Sequence, residues 1–388
     1  MKRKVPLSRP DITEKEIEAI LAVIKTPYLS LGPKHREFEE TVAKYIGVKH
    51  AISVSSGTAG LHLVIKALDI KDGDEVITTP FSFISSSNVM LFERAKPVFV
   101  DIEPRTLNID PQNIEKFFES RYDFDGKILK NRQTRARVKA ILPVHIFGQP
   151  CDMDRIMQIA ERYNLKVIED ACEAIGAEYK GKKVGTFGEA SVFAFYANKQ
   201  ITTGEGGMIV SNDEKIAKLC RSMRNQGRDE SSAWLVHRRL GYNYRLDEMS
   251  AALGIAQMRR IKEILLAREK IADVYNEKLK DLKDIEIPYI SPSVKMSWFV
   301  YVIRIKEKIN RDKVIEHLQK KGIECRVYFP PIHLQPFYKE MFGYKGGDFP
   351  ITEKVSKSTI ALPFYNNLLG KQIDYVCENL KETLEGMK

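Results

Sequence analysis

A chain of 388 residues with 43% hydrophobic and 29% charged content is long enough to bury a large core and to divide into two domains. No stretch approaches the ~20 apolar residues of a bilayer-crossing helix, and the first twenty residues start basic, break at Pro6 and Pro10 and turn amphipathic, which argues against a secretion signal and for a cytoplasmic protein without membrane contact. The net charge of +10, densest from Lys127 to Lys139, comes with 52 interspersed acidic residues and no aromatic stacking motif, so that run reads as a solvated loop and nucleic acid is not an expected partner.

In chain order, Ile12, Ile17, Ile20, Leu21 and Ile24 recur at helical spacing behind Asp11 in the N-cap position, which predicts an amphipathic opening helix, and a second helix follows near His35 to Tyr45. Short apolar runs then alternate with helical segments, at residues 51–55, 75–78, 97–100, 140–144, 166–169, 190–193 and 207–210. Runs this short, bounded by Gly, Pro and Asp, read as strands buried on both faces, and the interleaved helices make their seven-stranded sheet mainly parallel. The fold class is therefore α/β, with a large domain over residues 1–245. From Asp247 to about Leu282 the pattern becomes one long charged helical stretch without proline. Beyond it, residues 298–305 alternate as a half-exposed strand, and Arg311 to Lys321 reads as a helix ended by Gly322. These predict a smaller α+β domain over residues 246–388, opened by the long linker helix, with the first helix of the chain packing on it. Cys151, Cys172, Cys220, Cys325 and Cys377 are odd in number and lack C-x-x-C spacing, which predicts reduced thiols and no metal site.

In an open parallel sheet, ligands bind at the carboxyl ends of the strands, and four segments there carry chemistry. Residues 54–60 run from a strand through Ser55, Ser56, Gly57, Thr58 and Ala59 into a helix, leaving backbone N–H groups suited to a phosphate or simply a tight turn. The strand at 167–170 ends in Asp170, a carboxylate able to pair with a protonated pyridine nitrogen, or a turn residue. Lys199 follows the strand near Val192 and precedes Gly204, Gly206 and Gly207; in a partly desolvated loop such an amine attacks an aldehyde, although most lysines are merely surface. Residues 241–246 are polar and aromatic and sit at the domain junction. Taken singly each is ambiguous, but a phosphate cradle, a strand-end aspartate and a lysine before a glycine turn are together the parts that pyridoxal-phosphate chemistry requires.

With those motifs, and with residues 6–10, 31–33, 169–174 and 328–333, the sequence resembles the DegT/DnrJ/EryC1/StrS family of sugar aminotransferases, of PLP fold type I, essentially end to end. The resemblance implies that pyridoxal 5'-phosphate is held covalently by Lys199, which also moves the substrate proton, with pyridoxamine 5'-phosphate as the intermediate form. It implies Asp170 on the pyridine nitrogen, Gly57, Thr58 and Ala59 at the phosphate, Phe83 stacked on the ring and Glu173 near the ring hydroxyl. Asn243 is similar to the residue that reaches the phosphate from a second subunit, which implies a homodimer with shared active sites. Ser30, Tyr328 and His333 fall on segments that border the sugar-nucleotide pocket. The implied reaction converts a nucleotide-linked keto-sugar to an amino-sugar with L-glutamate as donor, in the biosynthesis of surface or other polysaccharides.

Two positions depart from the family pattern. Ala194 stands where a serine commonly helps hold the phosphate, a loss of about 0.5–1.5 kcal/mol for one hydrogen bond. Glu173 stands where glutamine is frequent, and a carboxylate beside a phenolate is expected to have a raised pKa. A sugar dehydratase or lyase on the same fold is disfavoured by Lys199, since the related dehydratases carry histidine there, and a non-catalytic regulatory protein is disfavoured by Asp170 with Lys199.

Overall fold

The computed structural model describes residues 5–229 and 235–387; the basic start at residues 1–4 lies outside the described residues. The chain opens with α1 (Glu14–Ile24) and α2 (Pro33–Ile46). The expectation for α1 fails in detail. Thr13, not Asp11, is its N-cap, and its inward residues are Glu16 and Val23, while Ile17 is 42% and Leu21 49% exposed. The reason is electrostatic and lies far along the chain: Glu16 Oε1 accepts from Gln257 Nε2 at 3.0 Å and from Arg260 at 3.1 Å, and Asp11 pairs with Arg260 at 3.1 Å, so a polar latch decides which face turns inward.

The apolar runs form β1 (His50–Val54), β2 (Asp74–Thr78), β3 (Lys96–Phe99), β6 (Arg137–Ile141), β7 (Lys166–Asp170), β10 (Ala190–Ala194) and β11 (Gly207–Ser211), in the sheet order β1-β11-β10-β7-β6-β2-β3. From β10 to β3 every pairing is parallel, whereas β11 runs antiparallel to both its neighbours, so the sheet is mainly parallel but mixed. A hairpin of β4 (Tyr122–Phe124) and β5 (Leu129–Asn131) extends it to nine strands, and the basic run spans β5, the turn after it and the start of β6. A separate small ladder joins β8 (Glu178–Tyr179), β9 (Lys182–Lys183) and β13 (Val294–Lys295).

Period-two alternation feeds two cores at once. Val192 and Ile209 pack on one face of the sheet, whereas Phe193, Met208 and Val210 pack on the other. The connecting helices are α3 (Gly57–Ala67), α4 (Ser85–Phe92), α5 (Pro111–Arg121), α6 (Met153–Tyr163) and α7 (Glu214–Arg224). Ser56, Asp110, Asp152 and Asp213 start α3, α5, α6 and α7 by accepting first-turn N–H groups, which fixes where each crossover begins.

The predicted single long helix is two helices, α8 (Glu248–Arg259) and α9 (Ile261–Leu279). Arg260 breaks them with φ −105° and ψ 6°, a conformation that turns its guanidinium toward Asp11 and Glu16. Beyond them, β12 (Ile285–Glu286), β14 (Tyr301–Ile305) and β15 (Thr359–Leu362) make a small antiparallel sheet packed with α10 (Arg311–Lys320) and the C-terminal helix Gly370–Glu385. The predicted half-exposed strand is buried on both sides, with Trp298, Phe299, Tyr301, Val302 and Ile303 all buried, and Tyr301 stacks on Tyr275 of α9 at 4.7 Å. Among the described residues no helix is long and apolar enough to cross a membrane.

Candidate active site

The carboxyl ends of β7 and β10 face the start of α3. Asp170 closes β7, fixed through its backbone by Pro143 O at 2.9 Å and His145 N at 3.0 Å. Its carboxylate is aimed by two donors: Cys172 N–H gives to Oδ1 at 3.1 Å, and the Ser86 hydroxyl gives to Oδ2 at 2.6 Å, with Ser82 Oγ 2.9 Å behind Ser86. On the opposite face of the same strand, buried Glu169 accepts from the N–H groups of Gly185, Phe187 and Gly188 and lies 3.2 Å from His145 Nε2. His145 Nδ1 accepts from Cys151 N–H, so the ring proton sits on Nε2 and is donated to Glu169. Burial alone pushes the Glu169 carboxyl up, but His145 and the backbone donors outweigh it and hold it below the usual carboxylate range.

Lys199 lies in the loop between β10 and β11, held by Lys199 N to Tyr196 O at 2.9 Å and by Thr203 N to Phe195 O at 2.9 Å. Its side chain is mostly buried, with Nζ 3.4 Å from Glu173 Oε1 and 3.9 Å from the centroid of the Phe299 ring. Glu173 Oε2 accepts from Phe147 N at 2.9 Å. Burial raises the Glu173 carboxyl above its ordinary value, opposed by the nearby Lys199 charge and by the Phe147 N–H. The Lys199 amine thus donates toward this buried carboxyl.

The candidate phosphate turn is built by close backbone approach. Ser56 Oγ accepts the Ala59 N–H at 3.1 Å, so of the three predicted contacts Ala59 already has a partner and the first-turn amides of Gly57 and Thr58 lead the helix. A Cβ at Gly57 would stand 2.8 Å from Cys172 Sγ and 2.9 Å from Ala194 Cβ, which places Ala194 against this turn. Gly207, opening β11, is as constrained: a Cβ there would lie 2.6 Å from Ser56 C and O and 2.8 Å from Gly57 N. Gly207→Ala is accordingly expected to displace the turn, weakening cofactor binding at least about tenfold and lowering stability by about 1–3 kcal/mol. Cofactor titration and a thermal melt check this; unchanged affinity would show that the turn does not bear on the cofactor.

Of the remaining predicted residues, Phe83 is 60% exposed just before α4, on the same segment as Ser82 and Ser86. Tyr328 is half-buried and stacks on Phe147, with centroids 6.3 Å apart, and on Phe299 at 6.4 Å, so it joins the Lys199 neighbourhood. His333 is not open to solvent: it is fully buried against Phe349 and Tyr344, with Nε2 3.1 Å from Glu353 Oε1. Burial lowers its pKa despite Glu353. Ser30 is exposed and bridges to Asp247.

Asn243 sits on a strand-like strap, with Tyr242 N to Met223 O at 2.6 Å and Tyr244 N to Arg224 O at 3.0 Å. Tyr242 and Tyr244 stack on each other at 5.0 Å and pack on His62, while Asn243 between them is exposed on the other side. Tyr244 O also accepts from Ser55 N at 2.9 Å, which ties the strap to the phosphate turn. The sequence reading missed Ser86, Phe299 and Phe147. A serine-rich run at 82–87 was the available signal for the first, while nothing local marks the other two.

These residues fit pyridoxal phosphate: a turn with room for nothing but backbone, an oriented acceptor carboxylate, and a mostly buried lysine amine beside a buried carboxyl. A GDP-perosamine synthase of Caulobacter vibrioides is 38% identical over 98% of this chain and 98% of its own. Among solved structures, PseC of Helicobacter pylori, an aminotransferase involved in the biosynthesis of pseudoaminic acid, superposes with a TM-score of 0.90 at 28% identity, covering 99% of this chain and 100% of its own. The putative sugar aminotransferase Spr1654 of Streptococcus pneumoniae, in its PMP form, has a TM-score of 0.90 at 25% identity, covering 99% of this chain and 100% of its own. With residues 10–381 matching its family model, the chain belongs to the DegT/DnrJ/EryC1/StrS aminotransferase family and is a pyridoxal-phosphate-dependent aminotransferase.

Proposed function

We propose that this enzyme moves an amino group from L-glutamate to the keto carbon of a nucleotide-linked sugar, in the cytoplasm, and that it works as a homodimer. The observation that carries the reading is the Lys199 amine set 3.4 Å from Glu173 Oε1, on the same rim as the oriented Asp170 carboxylate. The sugar is supported by similar proteins, a GDP-perosamine synthase and an aminotransferase of pseudoaminic acid biosynthesis.

When bound, the cofactor supplies an aldehyde that captures amines and a ring that draws electrons from the adjacent carbon. Lys199 binds it, then, once displaced by the incoming amine, removes and returns the proton at the reacting carbon. Asp170 keeps a proton on the ring nitrogen, with Ser86 and Cys172 N–H holding its two oxygens in line. Gly57 and Thr58 anchor the phosphate through backbone N–H groups. Phe83 covers the ring, and Tyr328 and Ser30 border the sugar-nucleotide; the burial of His333 assigns it to packing behind that wall. Asn243, exposed on the strap, would reach the phosphate bound by the second copy. The same reading divides the chain at residues 245 and 246.

A panel of UDP-, GDP- and dTDP-linked keto-sugars with glutamate, followed by mass spectrometry, is expected to yield one amino-sugar product about 1 Da heavier than its ketone. Failure to aminate any of the three series would overturn the substrate assignment while leaving the cofactor assignment intact.

A further inference from the structure

Arg268, on α9, is buried to 3% exposure, and among the described residues no carboxylate lies within ion-pair distance of it. Burial pulls its guanidinium down to about 10. A cation held this way costs folding free energy unless its donors are satisfied, and here they are satisfied by backbone. Nε gives to Trp298 O and Nη2 to Phe299 O, both at 2.7 Å, Nη1 gives to Asn366 Oδ1 at 2.9 Å, and the guanidinium lies 4.9 Å from the Phe364 ring centroid. The fork therefore clamps two successive peptide carbonyls, and the second belongs to the residue whose ring faces Lys199 Nζ at 3.9 Å.

The other side of Phe299 is tied to the same frame. Phe299 N gives to Phe147 O at 3.0 Å, and Phe147 N gives to Glu173 Oε2 at 2.9 Å, so one residue spaces the ring from the carboxylate on either side of the amine. Phe147 does this with φ at 58°, a left-handed backbone unusual for a side chain of its size. Gln200, next to the lysine, gives to Glu173 O at 2.5 Å and to Ser297 Oγ at 2.9 Å, binding the lysine loop to the segment that carries Phe299.

We propose that Phe299, clamped by Arg268, is the seat on which the Lys199 amine rests whenever it is released from the cofactor. The inference rests on the reading that Lys199 carries the cofactor. An aromatic face attracts an ammonium without neutralising it, so it holds the released amine beside the reacting carbon and yet lets it go. Glu173 Oε1 stands 3.4 Å from the same nitrogen. Phe299 thus touches the reacting nitrogen, and Arg268 is a positioning residue acting through it.

The test has a sign that a packing role does not share. Phe299→Leu removes a partner of the free amine only, so the state in which Lys199 is engaged by the cofactor gains weight. The full-length variant is expected to bind pyridoxal phosphate about three- to tenfold more tightly than the parent by absorbance titration. Its kcat falls about tenfold while KM for both substrates stays within about twofold. Arg268→Met repeats the pattern by releasing the ring. Phe299→Tyr, which keeps an aromatic face, changes cofactor affinity by less than half as much as Leu. Equal or weaker cofactor affinity in Phe299→Leu, or a Tyr variant indistinguishable from Leu, overturns the seat. Phe299→Met replaces Leu if the latter does not fold, and if neither folds the ring serves packing and the proposal falls. Borohydride trapping and peptide mapping of the parent separate the two levels: cofactor attached elsewhere than Lys199 sinks the underlying reading, whereas cofactor on Lys199 with unchanged affinity in the variants sinks only the seat.

Discussion

Lys199→Ala is expected to lower kcat by about a thousandfold or more and to leave a protein that folds normally, because on the proposed reading it removes both the covalent anchor and the proton carrier in one step. The fold is spared because the loop is held by main-chain bonds from Lys199 N to Tyr196 O and from Thr203 N to Phe195 O, which alanine keeps. The cofactor should still enter, since the phosphate turn and Asp170 are intact, but borohydride should no longer fix it to the chain. Single-turnover kinetics and mass mapping read both outcomes. A variant retaining more than about a tenth of parental kcat would mean that some other group moves the proton.

Asp170→Asn should cost about a hundred- to a thousandfold in kcat with little change in stability. Ser86 Oγ and Cys172 N–H surround the carboxylate at 2.6 and 3.1 Å, and an amide can keep both contacts by presenting its oxygen to Cys172 and its NH2 to the Ser86 oxygen. What disappears is the charge that keeps the pyridine nitrogen protonated. The measurement is kcat alongside the cofactor absorption spectrum, at matched cofactor content. A loss of less than about threefold would show that ring protonation does not depend on this residue.

The seven strands were legible because each is buried on both faces and bounded by turn residues, so continuous apolar runs such as residues 207–210 carry their own signature. The strand-end aspartate and the lysine before its glycine turn were legible for the same reason: parallel topology forces them to one edge. What could not be read depends on partners distant in sequence. The face α1 turns inward is chosen by Gln257 and Arg260, more than 240 residues later, against the hydrophobic periodicity of its own segment. The break between α8 and α9 has no proline or glycine to announce it, because its cause is again the pairing of Arg260 with Asp11 and Glu16. Phe299 read as one side chain of an alternating strand; only the clamp from Arg268 and the bond to Phe147 O show that its ring meets Lys199. His333 is the converse case, a motif neighbour of the pocket whose burial against Phe349 and Glu353 depends on partners that its own segment does not announce.

The strap that carries Asn243 makes the enzyme intolerant of a change in reading length. Two phenol rings point one way and one amide the other, solely because neighbouring positions of an extended chain face opposite sides. Deleting or inserting a single amino acid between Gly241 and Arg245 would swap these sides, presenting a bulky ring outward and sinking the amide onto His62.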